Sequence, residues 1–265
     1  MLEDDSHILK TYLDLRGQSI PHFNYPVSRE HYLQRCWPVI NKILSCNGNV
    51  TVVDAGCGHA YESILFAALG AEVTGIDLRH DGFQVALDNV KTYRSIFPSL
   101  KIELINRDIF AAMQELDADV IFVRQAFSHI HPAEKFVEIA YQRLKRNGIL
   151  VINDSNWINP LEMMEVTAEH WRHGKLRWFV TDKYKDPVTN LVVPYAVERM
   201  MTPMAVKKML CASGFTAEGL DITGYLPVSI ASKVPGIALG LESIIKKLPL
   251  ISRLGAEYTI TGLKK

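Results

Sequence analysis

The chain has 265 residues, of which 48% are hydrophobic and 22% are charged, so it can bury the core of one large domain or of one domain with an insertion. Its 29 basic and 29 acidic residues give a formal net charge of zero, which argues against a general nucleic-acid-binding protein. The four scattered cysteines have no metal-ligand spacing, and no apolar run reaches the ~18 residues expected of a membrane span. Because the acidic start lacks the pattern of a signal peptide, we expect a reduced, cytoplasmic protein.

Residues 1–48 are predicted to form an N-terminal helical cap. Apolar side chains recur at helical spacing over residues 29–46, and Pro38 is expected to kink or split that helix. The residues before it are polar and aromatic, and Pro21 and Pro26 interrupt any periodicity.

From residue 50 onward, short strand-like runs alternate with helical patterns. The strand-like runs are NVTVVDA, AEVTGID, KIELIN, ADVIFVR and GILVIN. The helical patterns lie at about 60–69, 82–95 and 132–145. Near-continuous apolar strands separated by helices indicate a parallel sheet covered on both faces. Residues 49–153 are therefore predicted to form a doubly wound α/β core.

This rhythm stops after Asn153. Residues 154–202 concentrate three of the four tryptophans, and we predict an inserted subdomain that is either an auxiliary core or a lid over the substrate site. Residues 203–265 are predicted to complete the sheet. There we expect a helix at 203–213, one long strand or a strand pair in GFTAEGLDITGYL, an amphipathic helix or two at 236–250, and an edge or hairpin strand in AEYTITGLKK.

The most informative motif is a glycine turn after the first predicted strand, in the run VVDAGCGHA. In open parallel sheets, ligands bind outside the carboxyl ends of the strands. Gly56 permits an unusual backbone angle there, and Gly58 lets a ligand approach the main chain. Asp77 ends the second strand, where a carboxylate either accepts from both ribose hydroxyls or caps the next helix. The order of strand, glycines, helix, strand and acid predicts an adenosine-bearing cofactor.

Two cofactor classes fit this order, a nicotinamide dinucleotide and an adenosine cofactor that carries a sulfonium and an amino-acid tail. The dinucleotide fingerprint requires a third glycine where this chain has Tyr61, and the negative charge of Asp54 would repel a pyrophosphate. That acid instead suits a loop around a cationic sulfonium and ammonium. A nicotinamide-dependent oxidoreductase remains the alternative enzyme hypothesis.

The run DAGCGHA, residues 54–60, resembles the first motif of the class I S-adenosylmethionine-dependent methyltransferases, an acid followed by G-x-G-x-G. The sequence departs from that motif mildly, because Ala60 replaces the last glycine. The resemblance is good over roughly residues 50–155. It implies a Rossmann-like, seven-stranded, mostly parallel sheet whose last strand is antiparallel, and S-adenosylmethionine as cofactor.

The resemblance also implies roles for individual residues. Asp77 would bind the ribose. Asp108 would bind the adenine amino group, unless it serves as a helix N-cap, and Leu78 and Ile109 would sandwich the ring. Gln125 and Arg124 would face the cofactor, with Arg124 pairing with its carboxylate. The glycine-turn residues assigned to cofactor binding are Asp54, Ala55, Gly56 and Gly58.

Methyl transfer is an in-line displacement, so alignment supplies much of the rate, and a base helps when the acceptor is a hydroxyl. His129 and His131 follow the fourth strand and are the candidate bases, although a histidine here often only packs or forms hydrogen bonds. Further candidates for acceptor contacts or bases lie later in the chain. They are Asp154, Ser155, Asn156, His170 and His173.

The predicted function is metal-independent methyl transfer to an oxygen or nitrogen of a small, apolar or ring-bearing acceptor such as a sugar, polyketide or lipid-linked intermediate. Arg124-Gln125 stands where metal-using relatives carry acids, and the N/D-P-P-aromatic motif of nucleic-acid base methylation is absent. Residues 225–250 either cover the sheet or contact a lipophilic tail or membrane surface. A cofactor-binding relative without catalytic activity is the third hypothesis.

Overall fold

The computed structural model describes residues 3–47, 49–172, 179–185, 190, 192–199 and 201–265. Two helices, α1 (Glu3–Ser19) and α2 (Pro26–Ser45), form the N-terminal part. Helix α1 lies within the predicted helical cap at 1–48 but was not predicted as a separate helix. The helix α2 begins at a proline, which suits the first helical position. It continues through Pro38, so of the expected kink or split the split is wrong, and the kink stays a prediction.

The remaining chain contributes strands and helices in alternation. The strands are β1 (Thr51–Ala55), β2 (Glu72–Ile76), β3 (Lys101–Ile105), β4 (Ala118–Arg124), β5 (Leu144–Ser155), β6 (Phe179–Lys185), β7 (Val192–Arg199), β8 (Thr216–Thr223) and β9 (Glu257–Leu263). The helices are α3 (Tyr61–Ala68), α4 (His80–Arg94), α5 (Ile109–Met113), α6 (Ala133–Arg143), α7 (Pro160–Arg172), α8 (Pro203–Ala212), α9 (Val228–Ala231) and α10 (Pro235–Ile245).

Seven of the strands form one sheet in the order β3-β2-β1-β4-β5-β9-β8. The first five pair in parallel, and β9 pairs antiparallel with both β5 and β8. The predicted doubly wound fold with an antiparallel last strand is confirmed. Helix α6 is shorter than predicted because Leu144 already pairs with Ala118 in the sheet.

The core lies on both faces of this sheet. Side chains alternate along a strand, so the neighbours Val52 and Val53 of β1 belong to two different hydrophobic clusters. One cluster joins the sheet to α1, α2, α3 and α4, and the other joins it to α5, α6 and α8. The N-terminal helices therefore lie over the sheet.

The C-terminal strand β9 is an interior strand. We expected an edge or hairpin strand here, and the edge alternative is wrong because β9 lies between β5 and β8. Tyr258, Thr259 and Ile260 are all buried, so both faces of β9 are covered. The segment before it forms one strand, β8, with an irregularity between Glu218 and Leu220.

The predicted insertion at 154–202 contains α7 and a separate two-stranded antiparallel sheet of β6 and β7. Strand β7 contacts a short 3₁₀-helix, Phe127–His129, and Arg199 at its end forms a 3.0 Å ion pair with Glu134. Trp178 and His173 lie outside the described residues. Among the helices that the structure describes, none has both the length and the apolar character needed to span a membrane.

Candidate active site

A cavity of about 640 Å³ lies at the carboxyl ends of the parallel strands. It is formed by the glycine turn after β1, the loops after β2, β3 and β4, and the end of α1. Most of the residues predicted from the sequence line this single cavity. They are Gly56, Gly58, Asp77, Leu78, Asp108, Ile109, Arg124, Gln125, His129 and His131.

The backbone of the glycine turn explains both of its glycines. Gly56 has φ +81°, and a Cβ atom there would lie 2.5 Å from the Cβ atom of Ala126, so a larger residue cannot fit without displacement. Gly58 has φ +50°, and a Cβ atom there would meet no atom within 4 Å. Since Gly58 lines the cavity, its missing side chain leaves the main chain open to a ligand.

Asp77 connects this turn to the end of β2. Its Oδ2 atom accepts a 2.8 Å hydrogen bond from the Gly58 N–H, and its Oδ1 atom accepts a 2.8 Å bond from the Arg79 N–H. A carboxylate oxygen has two lone-pair positions, so these bonds leave acceptor capacity on a side chain that lines the cavity. The position therefore suits the ribose role, which stays a prediction.

Asp108 performs the capping role that the sequence also suggested. It is the N-cap of α5, and its Oδ1 atom accepts a 3.1 Å hydrogen bond from the Ala111 N–H. It also lines the cavity, together with Leu78 and Ile109. The capping bond fixes the Asp108 carboxyl in the loop between β3 and α5. Its contact with adenine stays a prediction.

Arg124 has a protein partner that the sequence analysis missed. Its Nη1 atom donates a 3.1 Å hydrogen bond to Oε1 of Glu62, and the same oxygen lies 3.7 Å from Nη2 of Arg16. Burial alone would raise the pKa of Glu62, but the two guanidinium groups hold the pKa of this carboxyl below its ordinary value. One buried carboxylate thus pairs with two arginines, which leaves one net positive charge in this group, and all three residues line the cavity.

Arg16 reaches this position through an aromatic cage. Its guanidinium carbon lies 4.4 Å from the ring centroid of Phe23, 4.7 Å from that of Tyr32 and 4.1 Å from that of Tyr61. At these distances the three rings stabilise the guanidinium charge by cation–π contacts, and the Arg16 residue is only 4% exposed. Two further residues beside the turn, Tyr61 and Glu62, are thus part of the site.

Asp54 and Ala55 do not line the cavity; both are buried behind the turn. The Oδ2 atom of Asp54 accepts a 2.6 Å hydrogen bond from the Ser63 hydroxyl in α3. Burial, and next the charge of Glu62, raise the pKa of Asp54 to about 7, against the favourable bond from Ser63. Asp54 therefore braces the first turn of α3, and its direct contact with a cofactor stays a prediction.

The free energy of unfolding should fall less with rising pH in Asp54→Asn than in the wild-type protein. The pKa of Asp54 in the folded state, about 7, exceeds its ordinary value of 3.8. Between these pH values the folded state therefore binds more protons than the unfolded state, and above them the ionised carboxylate destabilises the fold. At about pH 8 the variant should be more stable by on the order of 2–4 kcal/mol, and the difference should vanish toward pH 4. Urea unfolding across this range measures it.

The matched control for that experiment is Asp117→Asn, at a side chain that is 70% exposed. It should leave the pH profile of stability unchanged. If Asp54→Asn also follows the wild-type profile, then Asp54 has no raised pKa in the folded protein.

His129 lies on the 3₁₀-helix after β4, and a buried acid holds that helix in place. The Asp154 carboxylate accepts hydrogen bonds from the Ser128 N–H at 2.7 Å and from the Ser155 N–H at 2.8 Å. Burial raises the pKa of Asp154, while these two N–H groups and the nearby His129 oppose the rise. Asp154 is therefore a positioning residue for the segment that carries His129.

The insertion supplies two more candidate residues, Asn156 and His170. Asn156 is fully buried, and its Nδ2 atom donates to the backbone oxygens of Arg253 and Gly255 at 2.8 and 2.7 Å, so it braces a loop. The side chain of His170 lies outside the described residues. Within the described ranges, no cluster of three or more histidine, cysteine or acidic residues could hold a metal ion.

Solved structures with a similar fold include several methyltransferases. A SAM-dependent methyltransferase from Archaeoglobus fulgidus matches with a TM-score of 0.55 at 16% identity, covering 86% of this chain and 94% of that one. A magnesium protoporphyrin IX methyltransferase from Synechocystis PCC 6803, with bound SAH, matches with a TM-score of 0.56 at 14% identity, covering 89% and 84%. At these identities the likeness concerns the fold. The fold is that of the class I S-adenosylmethionine-dependent methyltransferases.

The family model described as "Methyltransferase domain" matches residues 47–193, which is more than half of the sequence, and the chain belongs to that family. Among curated proteins, the ubiquinone biosynthesis O-methyltransferase of Pelagibacter ubique (strain HTCC1062) is 27% identical over 158 residues, 58% of this chain. The one from Albidiferax ferrireducens is 25% identical over 151 residues, 57% of this chain. The matches span 64% and 56% of those relatives' own lengths. The predicted class is confirmed.

The residues of the cavity fit the cofactor of this class. The open space at Gly58 accommodates a group close to the backbone, and Asp77 and Asp108, whose carboxylates are hydrogen-bond acceptors, line the same cavity. At its other side, Arg16, Glu62 and Arg124 provide two cations and one anion, which suit the carboxylate and ammonium of an amino-acid group. The cavity volume also lies in the range of small-molecule sites.

Proposed function

We propose that the protein transfers a methyl group from S-adenosylmethionine to an oxygen atom of a small, apolar or ring-bearing acceptor, without a metal ion. The observation that carries this proposal is the single cavity that joins the glycine turn, Asp77 and Asp108 to His129 and His131. The curated relatives support oxygen as the acceptor atom and a ring-bearing substrate class, since they are ubiquinone biosynthesis O-methyltransferases.

The protein's first task in this reaction is orientation. When bound, the cofactor supplies an electrophilic methyl group. Asp77 and Asp108 would hold the adenosine end by hydrogen bonds, while Arg16 and Arg124 would hold the carboxylate end. Glu62 keeps both guanidinium groups in place at the cavity wall.

The second task is to remove the proton of the acceptor hydroxyl. His129 would accept this proton on a ring nitrogen, because a neutral imidazole is a base near neutral pH. Asp154, through the Ser128 N–H and hydroxyl, fixes the 3₁₀-helix that carries His129. His131 lines the same cavity and is the second candidate base.

We also propose that residues 154–202 act as a lid over the acceptor. Strand β7 of this insertion contacts the 3₁₀-helix Phe127–His129, next to the candidate base. The insertion is rich in aromatic side chains and methionine, which suits an apolar, ring-bearing substrate. The proposed division of the chain is 1–48, 49–153, 154–202 and 203–265.

Calorimetry and a product assay together test this function. Titration with S-adenosylhomocysteine should show saturable binding, and a panel of hydroxylated ring compounds, with and without an apolar tail, should yield a methylated product. Absence of binding would refute the proposal, and binding of NADH instead would favour an oxidoreductase. Binding without turnover of any compound would favour a cofactor-binding protein without catalytic activity.

We expect His129→Gln to lower kcat by about 10²- to 10⁴-fold, because general-base catalysis contributes that much. Affinity for S-adenosylhomocysteine should stay close to wild type, which separates loss of the base from loss of the site. His7→Gln, at an exposed histidine of α1, is the matched control. If kcat is unchanged in both His129→Gln and His131→Gln, neither histidine removes the proton.

A further inference from the structure

The helix α10 exposes its apolar side. Ile237, Leu241 and Ile244 recur at helical spacing and are 63%, 44% and 57% exposed. Positions i, i+4 and i+7 lie on one stripe of a helix, so these side chains form a continuous apolar strip toward solvent. We call this strip, with Leu248 and Leu250 that follow it, the α10 face; both leucines are exposed as well.

Buried polar contacts fix this orientation. Glu242, on the opposite side of α10, is buried, and its Oε2 atom lies 2.7 Å from Nε2 of His31 in α2. Its Oε1 atom accepts a 3.1 Å hydrogen bond from the Tyr225 N–H. Ala238 packs against Val27 on the same inner side. Rotating the apolar strip inward would break the buried pair, so α10 is held with its apolar side outward.

The segment after α10 is also anchored. The Tyr225 hydroxyl donates a 2.8 Å hydrogen bond to the Ser252 oxygen, and the Asn159 side chain donates a 2.6 Å bond to the Leu254 oxygen. Leu250, 79% exposed, thus projects from a loop whose backbone is tied to the body of the protein. The backbone that carries the α10 face is therefore fixed by hydrogen bonds to the rest of the protein.

The exposed charges carried by the sequence stretch of the α10 face are basic, and Lys246 at the end of the helix pairs at 2.6 Å with Asp221 of β8. Between residues 225 and 256, the basic residues are Lys233, Lys246, Lys247 and Arg253, and Glu242 is the one acid of that sequence stretch. Because Glu242 is buried, the exposed charges of the stretch are positive, in a chain whose formal net charge is zero. An apolar strip flanked by exposed cations is complementary to a surface whose outer layer is negatively charged and whose interior is apolar.

We propose that the α10 face docks on the surface of an anionic phospholipid bilayer. Ile237, Leu241 and Ile244 would enter the boundary between headgroups and acyl chains, while Lys247 and Lys233 would lie at the phosphate level. A second copy of this chain is the less favourable occupant. A two-fold contact places the same patch against itself, and the cations would then face each other.

Co-sedimentation of the full chain with vesicles tests this proposal. Binding to vesicles of equimolar phosphatidylcholine and phosphatidylglycerol should exceed binding to phosphatidylcholine alone, and added salt should weaken it. Leu241→Ser should lower the vesicle affinity by about tenfold or more through lost apolar burial. Lys247→Gln should lower it by about fivefold, the effect of one cation near an anionic surface.

Matched variants exist for both changes. Leu87 on α4 is 43% exposed, against 44% for Leu241, and Leu87→Ser should leave vesicle binding unchanged. Lys91→Gln, at an exposed lysine of α4, is the control for charge. Binding that is absent, or equal in Leu241→Ser and wild type, would overturn the proposal. So would a dimer in sedimentation velocity that Leu241→Ser converts to monomer, because the face would then be a self-interface.

Discussion

Replacing Glu62 by glutamine should destabilise the protein by about 3–5 kcal/mol, since removing one partner leaves buried charge uncompensated. Glu62 is the shared partner of Arg16 and Arg124, and all three side chains are largely buried. The variant would leave two guanidinium groups near each other without an anion at this point. Urea unfolding at neutral pH measures the change in free energy of unfolding.

Glu115→Gln is the matched control, because Glu115 forms a 3.4 Å ion pair with Arg107 at the surface. An exposed pair of this kind contributes about 0–1 kcal/mol. A loss of less than about 1 kcal/mol in Glu62→Gln would show that the buried network does not stabilise the N-terminal helices.

Asp77→Ala should weaken binding of S-adenosylhomocysteine by about 10- to 100-fold, the effect of losing hydrogen bonds to a charged acceptor. The same change removes the acceptor for the Gly58 N–H, so the glycine turn loses a brace. Calorimetry measures the affinity, and thermal unfolding of the free protein measures the second effect.

Asp88→Ala, at an exposed acid of α4, should change neither quantity. If Asp77→Ala binds S-adenosylhomocysteine like wild type, the ribose role of this residue is refuted. If affinity falls only together with the unfolding temperature of the free protein, Asp77 acts by bracing the turn.

The cofactor side of the molecule was largely predictable from the sequence because it depends on local patterns. A glycine turn after an apolar strand has few possible geometries, and parallel strands place their ends at one edge of the sheet. These two rules brought Gly58, Asp77 and Asp108 to one cavity without knowledge of the fold.

The place of α1 and Arg16 in the cavity wall was not predicted, because it depends on tertiary contacts. Leu9, Tyr12, Leu13 and Arg16 are buried at helical spacing, which was the available signal for α1. That signal could not show where the helix packs. The pairing of Arg16 with Glu62 joins residues far apart in the sequence, and no local pattern predicts it.

The place of β9 was misjudged for a related reason. Alternating residues such as Tyr258 and Thr259 are typical of a strand with one solvent face, and they do not specify how many neighbours the strand has. Strand order is a property of the whole chain, because the crossover from β5 to β8 leaves one position in the sheet, which β9 then fills beside β5.

That crossover has a consequence during synthesis on the ribosome. Strands β5 and β8 are joined through β9, which is translated after both of them. Until β9 emerges, one side of β5 and the whole of β8 lack this partner, and unpaired strand edges are templates for association with other chains. The nascent chain would therefore gain most from a holdase chaperone between the emergence of β8 and that of β9.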